Sequence, residues 1–336
     1  LSRVIDTLKS LFKFDGPSVA IIFRDLLIAL TICIIAAQFG RYFYIFDLTT
    51  HFLIQYMVGC IVIGTFFIYR RDKKKAIWCA VILAACLFNF FMSPRPEFAQ
   101  MNLTSAPTFN IVQYNKNLVN QNYDEMRKAL IDARADIVIF QEAIPDDEAL
   151  PVKLGDAFPY HISAPKMNAF GMIVLSRYPI QNETQHVTSE GPYGNFVLEL
   201  SVRPSGFKED VTIYALHAVP PIQNDFWEQR NRELAAAAKI VSANPSPQKI
   251  MIGDWNTSPY SPFFADIIQT THLNYTSSLP FAQPTWPAPL SVTLGLMQIP
   301  IDHILYGNGL APFGLTVLEG YGSDHHMVSA SFGESR

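Results

Sequence analysis

The residues best equipped for chemistry sit where short apolar runs end. The run Phe109–Tyr114 leads into Asn115 and Asn117, Asp136–Phe140 into Gln141 and Glu142, and Val211–Leu216 into His217. Lys249–Ile252 leads through Gly253 to Asp254 and Asn256, Asp302 lies in Ile301–Tyr306, and Asp324 and His325 precede Met327–Phe332. Glu142 is a hard oxygen ligand of the kind Mg²⁺ prefers, since that ion takes one or two carboxylates and keeps several waters. A carboxylate near a bound metal ion can accept a proton from water. A histidine beside a carboxylate is held cationic. Thiol chemistry is excluded from this part of the chain, because all four cysteines (Cys33, Cys60, Cys79 and Cys86) precede it. A disulfide, a thiol nucleophile and a cysteine-ligated zinc are excluded with it.

Strand ends are where such groups belong, because a sheet holds the backbone rigidly while the following loop faces substrate. The runs above read as strands, joined by Phe170–Leu175 and by Asn195–Val202 with its alternation. Apolar residues at helical spacing (Met126, Leu130) predict a helix over Tyr123–Ala133. A second helix is predicted over Phe226–Ala243, with Glu228, Arg230 and Arg232 outward and its alanines inward. Alternating strands and helices imply sheets covered by helices.

The N-terminal part is a different material. Residues up to about 95 are dominated by Ile, Leu, Phe, Ala and Val. Three long uncharged stretches stand there, Leu26–Gly40, Leu48–Tyr69 and Ala76–Pro94. Crossing a hydrocarbon layer takes about 20 mostly apolar residues, so three transmembrane helices are expected within residues 1–94. Arg24 and Asp25 crowd the start of the first. The loop Arg70-Arg71-Asp72-Lys73-Lys74-Lys75 should stay in the cytoplasm, with the N-terminus (Arg3, Lys9, Lys13). The third span then runs outward and leaves the rest periplasmic or extracellular, on a multi-pass inner or plasma membrane protein. Prolines and small polar residues make 95–108 an extended linker. Residues 1–107 carry 11 Lys and Arg against 6 Asp and Glu, whereas 108–336 carry 14 against 23. An acidic domain is not what tight non-specific nucleic-acid binding favours.

Taken in order, the segments YNKN (114–117), IFQEA (139–143), GMIVLSRYPI (171–180), LHAVPP (216–221), IGDWNTSP (252–259), IDHIL (301–305) and GSDHH (322–326) resemble the endonuclease/exonuclease/phosphatase, or DNase I-like, superfamily. The resemblance covers residues 109–334, the expected catalytic domain. It implies an α/β fold, a four-layer α/β/β/α sandwich preceded by the membrane helices. It also implies metal binding by Asn115, Asn117, Glu142 and Asp324, with Mg²⁺ the expected ion and Mn²⁺ or Ca²⁺ its substitutes. Many relatives carry Asp at the second motif position, so Asn117 removes one negative charge and also reads as a plain turn residue. Asp254 would activate water. Asn256 would bond a phosphoryl oxygen, and His217 and His325 would contact the scissile phosphate, with Asp302 holding His325 cationic. Trp286, between prolines, could stack on a substrate base or sugar, or simply cap the core. His303, His326 and Trp255 read as structural. The implied function is a membrane-anchored, divalent-metal-dependent phosphodiesterase of nuclease type. Its partners are a nucleic-acid or lipid-head-group phosphoester and the bilayer. A sphingomyelinase-type lipid phosphodiesterase and a non-catalytic binding module that retains the fold are the competing readings.

Overall fold

The structure is a computed structural model that describes residues 17–98, 108–154, 157–288 and 295–335. The chain divides into two compact units, Leu1–Met92 and Ser93–Arg336.

The first unit contains the helices α1 (Pro17–Ala37), α2 (Tyr44–Thr50), α3 (Leu53–Tyr69) and α4 (Lys73–Met92). Of these, α1 and α4 are each long and apolar enough to cross a membrane. A third crossing exists only if α2 and α3, bent 65° from each other, count as one span. Three clean spans are therefore corrected to two or three. The expected second span, Leu48–Tyr69, is broken. Thr49 and Thr50 turn their hydroxyls back onto the carbonyls of Phe46 and Asp47, which competes with helix continuation, and the chain bends at His51. The first helix lies further toward the N-terminus than Leu26–Gly40. It runs through Arg24 and Asp25, which pair with each other at 2.7 Å. Leu27, Ile63, Phe67 and Cys79 pack inside this unit, while Ile22, Ile32, Val58, Ile77 and Val81 face outward. The N-terminal residues Arg3, Lys9 and Lys13, used above for orientation, lie outside the described residues.

The second unit is built on two sheets. One has the strand order β12-β13-β2-β3-β5-β4, and the other β1-β10-β11-β9-β8-β7-β6. The strands of the first are β2 (Thr108–Asn115), β3 (Ile137–Gln141), β4 (Tyr160–Ala164), β5 (Met172–Ser176), β12 (Leu310–Val317) and β13 (Val328–Glu334). Those of the second are β1 (Glu97–Phe98), β6 (Ile180–Ser189), β7 (Asn195–Val202), β8 (Val211–His217), β9 (Lys249–Asp254), β10 (Asn274–Ser277) and β11 (Asp302–Tyr306). Period-two alternation sorts their side chains. Phe109, Ile111, Ile137, Ile139, Ile213, Ile250, Ile252 and Ile304 meet between the sheets. The intervening residues face helices. Val112, Tyr114 and Phe140 pack on Met126 and Leu130 of α5 (Tyr123–Asp132). Tyr214, Leu216 and Met251 pack with residues of α7 (Asn224–Ala243) and α8 (Pro262–Thr271). The short helix α6 (Leu150–Leu154) also lies on the β3 side. Each fully buried large apolar side chain stabilises the fold by roughly 1.5–3 kcal/mol.

Two crossovers orient the site. Helix α5 links β2 to its parallel neighbour β3, and α7 links β8 to its parallel neighbour β9. All four strands therefore release their carboxyl ends toward loops on one edge of their sheet. Part of the expected linker is not a free tether. Glu97 and Phe98 pair in parallel with β10, and the Tyr275 and Tyr306 hydroxyls donate to Pro94 O and Glu97 Oε2 at 2.7 and 2.6 Å. Residues 99–107 of that linker lie outside the described residues.

Candidate active site

The same alternation that builds the inter-sheet core also aims the site. Asn115, Gln141, His217, Asp254 and Asp302 share the parity of the apolar residues between the sheets. Register then sets them in rows. Asp254 pairs with His217 on one side and Asp302 on the other, and Asn115 pairs with Gln141 in the facing sheet. At this edge the apolar core gives way to a buried polar layer. Gln113 donates to Gln141 Oε1 at 2.6 Å and to Asp302 Oδ1 at 2.8 Å, and Gln141 donates to Leu216 O at 2.7 Å. These bonds tie the two sheets together directly beneath the acid–base groups. Gly253 allows the approach. Its φ is +146°, and a Cβ there would collide with Leu216 O and the Gln141 amide.

Three further site residues, Asn117, Glu142 and Asn256, adopt left-handed backbone conformations at φ of 65°, 58° and 49°. Such values are uncommon outside glycine, and least so for Asn, so their concentration here marks turns dictated by the site. At Asn117 the turn is an Asx type. Asn115 Oδ1 accepts from Asn117 N, and Asn117 Oδ1 from Val119 N. Lys116, between the two asparagines, is fully buried. It pairs with Asp147 at 2.9 Å and donates to Asn117 O at 3.0 Å.

The chemistry converges on one amide. Asn115 Nδ2 lies 3.0 Å from Glu142 Oε1, 3.1 Å from Asp254 Oδ2 and 3.4 Å from His325 Nε2. An amide nitrogen carries two protons, which match the two carboxylate oxygens, while the cationic His325 ring brings an N–H of its own and is not an acceptor. Asp254 Oδ2 is also 3.5 Å from His217 Nε2 and 3.6 Å from His325 Nε2, while its Oδ1 accepts from Asn256 N at 2.9 Å. His217 Nδ1 donates to Ala169 O at 2.9 Å, which turns Nε2 toward Asp254. His325 Nδ1 donates to Asp302 Oδ2 at 3.0 Å.

Burial and charge set the proton affinities. Burial pushes the Asp254 carboxyl up to about 6, against the pull of the His325 and His217 charges. For His325, burial opposes the charge, but the Asp302 and Asp254 carboxylates outweigh it and raise the imidazole to about 10. Asp302 is pushed up by burial, yet the His325 charge and hydrogen bond hold it below the usual carboxylate range. Asp324 is likewise held low. Burial is outweighed there by the Asn117 amide at 2.8 Å, the His325 charge and the Trp286 indole N–H at 3.1 Å.

The four residues expected at a metal divide into two pairs, Asn115 with Glu142 and Asn117 with Asp324. The Glu142 carboxylate is the hard oxygen ligand of the first pair and fits a divalent cation. Asn115 turns its amide N–H toward it, and its Oδ1, the atom able to ligate, accepts from Asn117 N. Among the described residues, Asp254, Asp302 and His325 form the group whose ligand atoms all lie within 4.8 Å of one another. Both oxygens of Asp302 are engaged there, by Gln113 and His325.

Asn256 spends an amide N–H on Ala218 O at 2.9 Å, which joins the loops after β8 and β9. Trp286 is half-buried with its ring centroid 6.5 Å from that of His325. His303 is buried against Trp255 and Phe264 and donates to Thr257 O. Burial drives it down to about 4, in keeping with a structural role. His326 donates to Leu318 O at 2.7 Å.

One expectation is overturned outright. Arg230 does not point outward from α7. It is fully buried, and its Nη1 donates to Asn256 O at 2.9 Å. Helical spacing puts Arg230 on the same face as Trp227, Leu234 and Ala237, a signal present in the sequence but overridden by residue type. Gln113 was also legible, because it lies two residues before Asn115 on the same strand face.

The profile of the Endonuclease/Exonuclease/phosphatase family matches residues 108–325, well over half of the chain. No curated protein matches it by sequence. Among solved structures, D. rerio TDP2 complexed with a single-stranded DNA product is 15% identical, with a TM-score of 0.56 over 67% of this chain and 99% of its own. Sphingomyelinase C from Streptomyces griseocarneus is 17% identical, with a TM-score of 0.51 over 67% and 99%. An endonuclease/exonuclease/phosphatase from Beutenbergia cavernae is 17% identical, with a TM-score of 0.53 over 68% and 72%. At these identities the likeness is one of fold. With the family profile spanning the strands and loops described above, the chain belongs to the endonuclease/exonuclease/phosphatase family.

Proposed function

We propose that this chain is a divalent-metal-dependent phosphodiesterase of nuclease type, held at a membrane by residues 1–94 and working outside the cytoplasm through residues 109–334. The observation that carries the reading is the meeting at Asp254 Oδ2 of His217, His325 and Asn115, all within 3.6 Å.

Asn115 and Glu142 would hold the cation, with Asp324 and Asn117 beside them. When bound, a divalent ion supplies positive charge that neutralises the phosphate and polarises its phosphorus centre. The chain's own groups supply the proton transfers. Asp254, with its carboxyl near 6, is ionised at neutral pH yet basic enough to take a proton from water. His325, cationic up to about 10, stabilises the developing negative charge and can protonate the leaving oxygen. Asp302 acts through His325 by fixing its ring and its charge. His217 presents Nε2 to the same space. The Asn256 amide nitrogen keeps one N–H beyond its bond to Ala218 and can offer it to a phosphoryl oxygen. Trp286 would form a wall beside the reacting group and hold Asp324 through its indole nitrogen.

The proposed side of the membrane rests on α4 and on charge. If α4 crosses, the basic stretch Arg70–Lys75, whose last three lysines form the first turn of that helix, would stay in the cytoplasm. The chain after Met92 would then continue on the other side, whether α2 and α3 cross or not. The test is hydrolysis of bis-para-nitrophenyl phosphate by the full-length chain in detergent, with Mg²⁺ and then with EDTA. Asp254→Ala and His325→Ala serve as controls, and plasmid DNA, RNA and sphingomyelin as competing substrates. Mg²⁺-dependent turnover lost in both variants is expected. Equal inactivity with and without Mg²⁺ on every substrate would favour a binding module.

A further inference from the structure

Helix α7 carries two buried charges outside the catalytic scheme, Arg230 and Glu233, one turn apart on one face. The two oxygens of Glu233 accept four donors: Ser189 Oγ at 2.6 Å, Gln229 Nε2 at 2.8 Å, Val219 N at 3.0 Å and Asn195 Nδ2 at 3.2 Å. The same Asn195 amide also donates to the carbonyl of His217. A single carboxylate thus grips the chain leaving β8 at two points, directly at Val219 and through Asn195 at His217. Arg230 does the equivalent for β9. It holds the carbonyl of Asn256, whose left-handed turn aims its own N–H at Asp254 Oδ1.

We propose that Glu233 is a positioning residue for His217, acting through Asn195 and Val219 to fix where the imidazole stands relative to Asp254. The proposal rests on His217 belonging to the phosphate site. The His217 ring is held by one hydrogen bond, to Ala169 O, and by contact with the Phe170 ring, both on the loop before β5. Its own backbone sets where the ring starts, so a shift of that backbone moves Nε2 against these contacts. Misplacing a reacting group by an ångström can cost about 100-fold in rate. Glu233→Gln keeps the shape but turns one acceptor oxygen into a donor, which must then face Val219 N, the Asn195 amide, or the Ser189 and Gln229 donors.

The experiment is a double-mutant cycle on the full-length chain in detergent, with bis-para-nitrophenyl phosphate and Mg²⁺. Glu233→Gln alone should lower kcat by about 10- to 100-fold with KM unchanged. In a His217→Ala background the same substitution should cost nothing further, because residues that act as a unit are non-additive. A full additional loss in that background, or wild-type kcat in Glu233→Gln, overturns the proposal. Thermal melts separate stability from positioning. If Glu233→Gln does not fold, Asn195→Ala removes the Asn195 arm of the link from Glu233 to His217, leaving the Val219 arm, and enters the same cycle. If His217→Ala turns over at the wild-type rate, the site assignment falls and this proposal falls with it. If His217→Ala is impaired but the losses add, only the positioning role is lost.

Discussion

Replacing Asp302 with Asn isolates one charge in the site while leaving its shape. The amide oxygen can still accept from His325 Nδ1, while Gln113, whose Nε2 faces Asp302 Oδ1, must turn its amide to bring Oε1, buried without a partner, to the new N–H. What disappears is the negative charge 3.0 Å from the ring. The rise of His325 from 6.5 to about 10 corresponds to on the order of 5 kcal/mol in favour of the imidazolium, at 1.36 kcal/mol per pH unit. Burial opposes this, and the carboxylates of Asp302 and Asp254, at 3.0 and 3.6 Å, supply it. If Asp302 carries roughly half of that net rise, its loss lowers the imidazole by about two pH units. The assay is kcat against pH with saturating Mg²⁺. The wild-type profile should rise through about 6 as Asp254 ionises and fall toward about 10 as His325 loses its proton. A bound cation lowers both limbs, so the difference between proteins is the quantity to read. The variant should fall on the alkaline side about two units earlier, with an extra loss of about tenfold near pH 9 and little extra near pH 7. Stability carries the same sign. A histidine whose folded-state pKa is raised contributes its full stabilisation below about 6.5 and loses it as pH rises toward about 10. Melting temperature should therefore decline over that range more steeply in wild type than in Asp302→Asn. An alkaline limb that stays where it is in the variant would refute the Asp302–His325 coupling.

Asn117→Asp would set a second carboxylate against Asp324, now 2.8 Å from the Asn117 amide. The Mg²⁺ concentration giving half-maximal rate should fall, while the metal-free protein melts lower; titration of rate and of melting temperature with Mg²⁺ reads both. Lys116→Met would leave Asp147 as a buried, uncompensated charge, at a cost of about 3–5 kcal/mol by denaturant titration. Retention of wild-type stability would remove Lys116 as a support for the first motif. Protein extracted into alkaline carbonate without detergent would contradict membrane anchoring by α1 and α4, which should keep it in the pellet.

The sequence determined the site's membership and the rule that gathers it. Alternation along each strand puts Asn115, His217, Asp254 and Asp302 on the face that holds the apolar core, and the apolar runs mark where that face ends. It did not determine which groups share protons. The row His217–Asp254–Asp302 comes from the pairing of β8, β9 and β11, and the bridge from Gln113 to Asp302 spans two sheets. Strands such as β6 escaped reading because an edge strand exposed on both faces has no periodic pattern to detect. The helix α8 was not expected from the sequence, although Ser261 and Pro262, a capping serine followed by proline, mark its start. Arg230 and the α2–α3 bend misled for one shared reason. An isolated sequence shows that a residue is charged or a run is apolar, while only the folded chain shows which buried carbonyl an arginine meets, or where threonine hydroxyls interrupt a helix. Parity and residue type are local properties. Proton affinities near 6 and 10 arise from burial and from charges brought together from distant positions, and these exist only after the sheets have closed on each other.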